Sequence, residues 1–173
     1  FQDPYGSFNP RHRVDRLVGE PFHLTGRPRD ADARIAAALQ EVGLDPADRH
    51  RFIHEFSGGQ RQRIAIARAL IIRPDLIILD EAVSALDVRV RAQVLDLLAR
   101  LQQDHGMAYL FISHDLSVVR AVTDRVLVMQ AGRIVEEGPT GQVLARPAHP
   151  CTQRLVAAAP VIPAHWKEPA DAP

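Results

Sequence analysis

A short apolar run that ends in two acidic residues is the feature that most restricts the fold of this chain. Residues 76–79 read Leu-Ile-Ile-Leu, with β-branched residues at the centre, and Asp80 and Glu81 follow at once. A continuous apolar run of this length is typical of a strand covered on both faces, as in a parallel sheet. The run therefore predicts an α/β fold in which residues 76–79 form a buried parallel strand.

Helical patterns lie on both sides of this strand. Residues 58–72 place apolar side chains at helical spacing, and Ser57 precedes them as a good N-cap. After the strand, Asp87 starts a long amphipathic helix that ends at Gly106, and residues 108–112 form a second apolar strand. The order of strand, helix and strand predicts a right-handed parallel crossover.

Shorter patterns predict the remaining elements. In chain order these are a turn-rich segment at 1–10, a short helix at 11–19, a loop carrying Pro21, Gly26 and Pro28, a helix at 30–42 capped by Gly43, a helix after Asp115 to about Thr123, a β-hairpin of 125–130 and 133–137 around Ala131 and Gly132, and short helices at 140–145 and 152–159. Four prolines fall between residue 160 and the last residue, 173, so we expect a disordered tail there.

The composition excludes several classes of protein. Lys+Arg and Asp+Glu both total 21, so there is no electrostatic case for a nucleic-acid partner. One cysteine, Cys151, excludes a disulfide framework and fits a reducing compartment. No apolar run approaches the roughly 18 residues that a membrane span needs. The start at Phe1 has neither a methionine nor a signal-peptide pattern, so we expect an internal fragment of a longer chain.

Residues 57–60, Ser-Gly-Gly-Gln, are a candidate anion site. Ser57 can cap the helix, and Gly58 and Gly59 have no Cβ, so a phosphate could approach the backbone N–H groups at the helix start. The alternative is a simple capped helix after a flexible turn, and the Ser-Gly-Gly run alone favours that alternative.

Asp80 and Glu81 are candidates for metal binding and acid–base chemistry. A buried strand delivers them to the carboxyl edge of the sheet, where ligands bind in open α/β folds. One carboxylate can hold Mg²⁺ and the next can act as a general base on water; the alternative is a strand that merely ends in surface acids. His114 follows the second strand, so we expect it on the same rim, where it could donate a hydrogen bond to a transferring phosphoryl oxygen.

Five ordered motifs resemble those of the ATP-binding-cassette (ABC) ATPases. They are Gln2 in a turn, Ser57-Gly58-Gly59-Gln60, Leu79-Asp80-Glu81, Ser84-Ala85-Leu86-Asp87 and Ser113-His114-Asp115. They match the Q-loop, signature, Walker B, D-loop and H-loop in kind and spacing, over nearly the whole chain. The resemblance implies a partial P-loop NTPase-like ABC nucleotide-binding domain, with a parallel sheet core, a helical subdomain and a C-terminal hairpin.

The resemblance also implies ATP and Mg²⁺ as ligands and assigns roles to single residues. Gln2 would touch Mg²⁺ or the attacking water and sense the transmembrane partner. The signature residues Ser57, Gly58, Gly59 and Gln60 would contact the γ-phosphate of ATP held by the opposite subunit. Asp80 would serve Mg²⁺, Glu81 the attacking water, Asp87 the dimer contact and His114 the γ-phosphate.

Residues 1–10 and 80–87 resemble the dipeptide/oligopeptide importer ATPases in particular, and residues 138–155 resemble the C-terminal region of that group. This implies coupling of ATP hydrolysis to uptake of a dipeptide, an oligopeptide, nickel or glutathione. The implied partners are a second ABC ATPase subunit, in a head-to-tail homo- or heterodimer, and transmembrane permease subunits, at the cytoplasmic face of the inner membrane. The expected regions are the ATPase domain at 1–138, the transporter-type region at 139–159 and the tail at 160–173.

The main departure from the family is the absence of a Walker A loop from these residues. No Gly-x-x-x-x-Gly-Lys-Ser/Thr pattern occurs, and the only lysine is Lys167 in the tail. Two alternatives therefore stay open beside the importer: a soluble ABC ATPase outside transport, and an inactive truncated fragment. The Tyr5-Gly6 and His149-Pro150 pairs favour import.

Two further patterns favour a structural rather than a functional interpretation. Arg61, Arg63 and Arg68 form a basic run that is typical of a solvated helix face. His50 and His54 are four apart, as zinc ligands on a helix can be, but no third ligand stands nearby, so we interpret them as structural.

Overall fold

A computed structural model describes residues 8–159 and divides the chain into two compact units. The first unit ends at Ser113 and the second begins at His114. The predicted turn around Gln2 and the predicted tail from residue 160 lie outside the described residues.

The first unit is mainly helical and contains two strands. Its elements are α1 (Val14–Val18), α2 (Phe22–Thr25), α3 (Ala31–Glu41), α4 (Gly58–Leu70), β1 (Leu76–Asp80), α5 (Val88–His105) and β2 (Ala108–Ile112), with 3₁₀ turns at Pro46–His50 and Ile53–Glu55. The side chains of Val14, Ile35, Leu39 and Ile64 are fully buried in its helical core. Every helix and strand predicted for residues 11–112 is present, and this confirms the α/β class.

The described part of the second unit, residues 114–159, contains one hairpin and three helices. Its elements are α6 (Leu116–Val122), β3 (Arg125–Gln130), β4 (Arg133–Pro139), α7 (Thr140–Ala145) and α8 (Pro150–Ala158). Antiparallel β3 and β4 meet at Ala131 and Gly132, which have φ values of 50° and 76°. Two consecutive positive φ values match the twist of a tight hairpin, so the predicted turn is confirmed.

Helices α2 and α8 depart from the sequence-based expectation. Residues 22–25 form α2 where a loop was expected, because Pro21 precedes them with a helical φ of −63°. Helix α8 begins at Pro150, two residues before the predicted start. Proline is favoured at the first helical position, and the His149 side chain accepts from the N–H of Cys151 at 3.1 Å.

Strands β1 and β2 pair in parallel, with Leu76 opposite Ala108 and Asp80 opposite Ile112. On one face Ile77 and Leu79 are buried and line a small cavity with side chains of α4 and α5. On the same face the hydroxyl of Tyr109 donates to the Leu98 carbonyl at 3.0 Å, and burial raises the pKa of Tyr109 to about 12. This face is the core side of the sheet.

The prediction that residues 76–79 are covered on both faces is wrong for the described structure. Leu76 and Ile78 are 53% and 54% exposed, and Leu110 and Ile112 of β2 are exposed beside them. The reason is that side chains alternate along a strand, and α4 and α5 cover only the face that carries Ile77 and Leu79.

The basic run on α4 is also different from the prediction. Nη1 of Arg63 donates to the Val42 carbonyl at 2.7 Å, and Nε of Arg61 donates to the Ile53 carbonyl at 3.1 Å. Arg68 is buried, with Nη1 3.2 Å from a Glu20 carboxylate oxygen. A guanidinium has five donors, so these arginines bind carbonyls and a carboxylate within the unit rather than forming a solvated face.

Across residues 8–159 no helix combines the length and the apolar character that a membrane crossing requires.

Candidate active site

Ser57 begins helix α4 through a reciprocal pair of hydrogen bonds. Its Oγ accepts from the Gln60 N–H at 3.3 Å, and its own N–H donates to Oε1 of Gln60 at 2.9 Å. This is a capping box, which fixes the entry of the chain into the helix. Ser57 is exposed, so the start of the helix is accessible to a ligand from outside the unit.

The helix start offers backbone donors at Gly58 and Gly59. The capping box uses the N–H groups of Ser57 and Gln60, whereas the N–H groups of the first two helical residues have no acceptor within the helix. These donors and the helix macrodipole attract an anion. The arrangement suits a phosphate, and it is equally the ordinary start of a capped helix.

Asp80 and Glu81 lie at the carboxyl end of β1, next to the end of β2. Asp80 is opposite Ile112 in the sheet, and the Glu81 N–H donates to the Ile112 carbonyl at 2.9 Å. Both acids are partly exposed. The two strands therefore hold the backbone of the acid pair at the carboxyl edge of the sheet, which is the position that the sequence predicts.

Glu81 adopts a backbone conformation that residues with a side chain rarely take. Its φ is 47°, and its carbonyl accepts from the Ser84 N–H at 3.1 Å and from the Ser84 hydroxyl at 2.9 Å. Such a conformation costs about 1–3 kcal/mol and occurs in tight turns as well as at functional sites. The two hydrogen bonds from Ser84 stabilise a tight turn, through which the chain leaves the strand after Glu81.

Asp87 caps helix α5. Its Oδ1 accepts from the Val90 N–H at 2.9 Å, and Asp87 itself is exposed. The predicted helix start is confirmed. The predicted contact of Asp87 with a second subunit stays a prediction.

The first unit thus carries three of the predicted motifs: the signature, the acid pair and the Asp87 loop. His114 is the first residue of the second unit, ahead of Asp115, whose carboxylate accepts from the Ser117 N–H at 2.9 Å and caps α6. Its predicted place beside the two acids stays a prediction. Gln2 lies outside the described residues.

Sequence reasoning assigned no role to Ser84 and did not predict the Gln60 half of the capping box. The capping box has a local signal, because Ser57 and Gln60 have the Ser-x-x-Gln spacing. The Ser84 hydroxyl bond has no comparable signal, since it depends on the left-handed turn at Glu81.

His50 and His54 have separate partners. Nε2 of His50 lies 3.0 Å from Nε of Arg49, and the His54 ring stacks on Phe52 with centroids 5.7 Å apart. Within residues 8–159 no cluster of three or more His, Cys, Asp or Glu side chains could hold a metal ion. An acid pair supplemented by water and substrate oxygens is a smaller donor set, and such a set suits Mg²⁺.

Comparisons with known proteins agree with the motifs. A sequence model described as ABC transporter matches residues 1–84. The chain is 54% identical over 162 residues to the peptidoglycan transport ATP-binding protein YejF of Agrobacterium fabrum, covering 92% of the chain and 30% of that protein. It is 54% identical over 163 residues to the glutathione import ATP-binding protein GsiA of Escherichia coli, covering 93% of the chain and 26% of that protein.

A solved structure supports the same assignment. The structure of cbiO1 from Clostridium perfringens, part of the ABC transporter complex cbiONQ, matches with a TM-score of 0.74 and 30% sequence identity. The match covers 84% of this chain and 58% of the other. The chain is therefore similar to ABC transporter ATP-binding proteins, and it spans less than a third of the length of the two curated relatives that it matches.

Proposed function

We propose that this chain is part of the ATP-binding subunit of an ABC importer, which couples ATP hydrolysis to the uptake of peptides or a related solute. The observation that carries the proposal is the acid pair, Asp80 and Glu81, held at the end of a parallel strand by the Ile112 and Ser84 hydrogen bonds. The transport and import names of the two relatives support the choice of an importer.

In the proposed reaction Glu81 is the general base that takes a proton from the water that attacks the γ-phosphate, and the bond to the β-phosphate breaks so that ADP leaves. Asp80 would hold Mg²⁺. When bound, Mg²⁺ would neutralise charge on the phosphate oxygens. His114 would donate a hydrogen bond to the γ-phosphate, and Gln2 would contact the metal or the water. The left-handed turn at Glu81 supports a role for Glu81 that differs from that of Asp80. Asp80 is still part of β1, whereas the chain leaves the direction of the strand at Glu81.

The signature residues would act on ATP held by a second ABC ATPase subunit. Ser57 and the donors of Gly58 and Gly59 are accessible at the start of α4, and the capping box orients Gln60 against Ser57. Asp87, exposed at the start of α5, would contact the partner subunit. In a head-to-tail dimer each site would then combine the acids of one subunit with the signature of the other.

Transmembrane permease subunits would be the further partners, and the assembly would work at the cytoplasmic face of the membrane. The cbiO1 neighbour is described as part of the ABC transporter complex cbiONQ, which supports this arrangement. Residues 1–138 would form the ATPase domain, and residues 139–159 would form a C-terminal region of the oligopeptide/dipeptide transporter type.

The proposed activity requires a P-loop, because its backbone amides and lysine supply most of the phosphate contacts. The 173 residues contain no such motif. Tests of hydrolysis therefore use a polypeptide in which a P-loop segment precedes residue 1, called here the P-loop polypeptide.

Reconstitution with permease subunits tests the proposed function. We expect the P-loop polypeptide to bind the permease subunits of a peptide-type importer in vesicles and to hydrolyse ATP. Uptake of a labelled peptide or of glutathione should then require ATP. The measurement is solute accumulation with ATP and with a non-hydrolysable analogue.

Two results would contradict the importer and favour the alternatives. Hydrolysis without binding to any permease would favour a soluble ABC ATPase. A folded P-loop polypeptide that binds ATP and does not turn it over would favour an inactive fragment.

A further inference from the structure

The starts of helices α4 and α5 meet at one glycine. A Cβ atom built on Gly59 would lie 2.6 Å from Cγ1 of Val90 and 3.8 Å from the Cβ and Cγ2 of the same residue. Real Cβ atoms essentially never approach a carbon atom to within 3.0 Å. The Val90 methyl group therefore occupies the space in which a side chain at position 59 would begin.

Backbone conformation does not explain why position 59 is glycine. The described glycines with positive φ are Gly26, Gly43, Gly106, Gly132 and Gly138, and Gly59 is not among them. Gly59 has an ordinary helical position, where alanine is normally preferred to glycine by about 1 kcal/mol. Glycine is required instead by the close approach of α5, because any other residue at position 59 would clash with Val90.

Val90 has little freedom to move aside. It is the third residue of α5, its N–H donates to Oδ1 of Asp87 at 2.9 Å, and it is partly buried. A valine in a helix has one strongly preferred rotamer, because both of its γ-methyl groups are fixed by the branch at Cβ. A side chain at 59 would thus push α4 and α5 apart rather than displace one methyl group.

We propose that position 59 is glycine because a side chain there would clash with Val90. Val90 is then a positioning residue: its packing against Gly59 places the start of α4, which carries the signature, relative to the start of α5, which Asp87 caps. The first half of this proposal concerns packing alone. The second half rests on the proposed function, since it supposes that Ser57 and Gly58 must be correctly placed for ATP on the partner subunit.

A double-mutant cycle in the 173-residue chain tests the packing. We expect Gly59→Ala to lower the melting temperature by roughly 3–10 °C, because overpacking is costly. Val90→Ala removes the obstructing methyl groups, so the double variant should melt no lower than Val90→Ala alone. The control is Gly141→Ala in α7, where a Cβ would meet nothing within 4 Å and no drop is expected.

A double variant whose loss equals the sum of the two single losses would overturn the proposal. If Gly59→Ala yields no folded chain, recovery of folded protein on adding Val90→Ala supports the proposal, and failure to recover it contradicts the proposal. Circular dichroism during heating measures the four proteins of the cycle and the Gly141→Ala control.

The P-loop polypeptide tests the positioning role. Well below the lowest melting temperature, Gly59→Ala should lower kcat by about ten- to a hundredfold while the KM for ATP changes little, since ATP first binds its own subunit. If Gly59→Ala lowers kcat by about a hundredfold, adding Val90→Ala should raise kcat again by at least about tenfold. A stable double variant with no recovery would contradict positioning by Val90. If the parent polypeptide itself does not turn ATP over, the proposed function fails, and the melting cycle still decides the packing.

Discussion

Replacing Glu81 by glutamine is expected to abolish ATP turnover in the P-loop polypeptide while ATP still binds. Loss of a general base typically lowers the rate by about 10²–10⁴. The hydrogen bonds of residue 81 with Ile112 and Ser84 involve its main-chain N–H and carbonyl, which glutamine retains. The turn and the position of Asp80 should therefore survive the change. Steady-state hydrolysis and calorimetric ATP binding measure the two effects.

The matched control is Glu137→Gln, the same chemical change at an exposed position of β4. It should hydrolyse ATP at the rate of the parent polypeptide. A Glu81→Gln variant that keeps near-parental turnover would mean that another group takes the proton from water.

Adding Ser57→Arg to Glu81→Gln is expected to prevent the dimer that ATP otherwise induces. Without hydrolysis the Glu81→Gln subunits should stay paired around ATP. An arginine at 57 would fill the accessible start of α4, where the phosphate of the partner's ATP is proposed to arrive. The double variant should still bind ATP as a monomer, because its own P-loop is intact. Light scattering with and without ATP gives the mass of each species.

Two controls separate this effect from loss of the helix cap and from added charge. Ser57→Ala removes the capping hydroxyl, at a cost of about 0.5–2 kcal/mol, and adds no bulk, so it should weaken the dimer without preventing it. Gln103→Arg adds the same side chain at an exposed position near the end of α5 and should not affect pairing. A dimer that forms as readily with Ser57→Arg as without it would exclude a role of Ser57 on the partner's ATP.

The sequence predicts the elements well wherever the signal is local. Gly43 and Gly106 end α3 and α5 with φ values of 73° and 65°, and Asp87 caps α5 as expected. The signature and the acid pair are likewise contiguous in sequence, so their places at a helix start and a strand end could be predicted. Each of these depends on neighbours within about four residues.

Apart from the short helix α2 and the start of α8, the errors concern contacts between distant parts of the chain. The run at 76–79 cannot reveal that one face of β1 is exposed, because that depends on what packs against the sheet. The Arg68 ion pair with Glu20 joins residues 48 positions apart, and charge spacing on a helix carries no information about such a partner. The Gly59 contact with Val90 is of the same kind.

Mixing two inactive variants tests the central claim, that the signature of one subunit serves the acids of another, most directly. One P-loop polypeptide carries Ser57→Arg and keeps Glu81; the other carries Glu81→Gln and keeps Ser57. In a head-to-tail heterodimer only one of the two sites carries the Ser57→Arg change, so pairing is obstructed at one site rather than at both. The other site would combine the intact Glu81 with the intact signature, so the mixture should hydrolyse ATP although neither variant does so alone. A mixture as inactive as its components, in a sample where heterodimers are detected, would contradict the shared site.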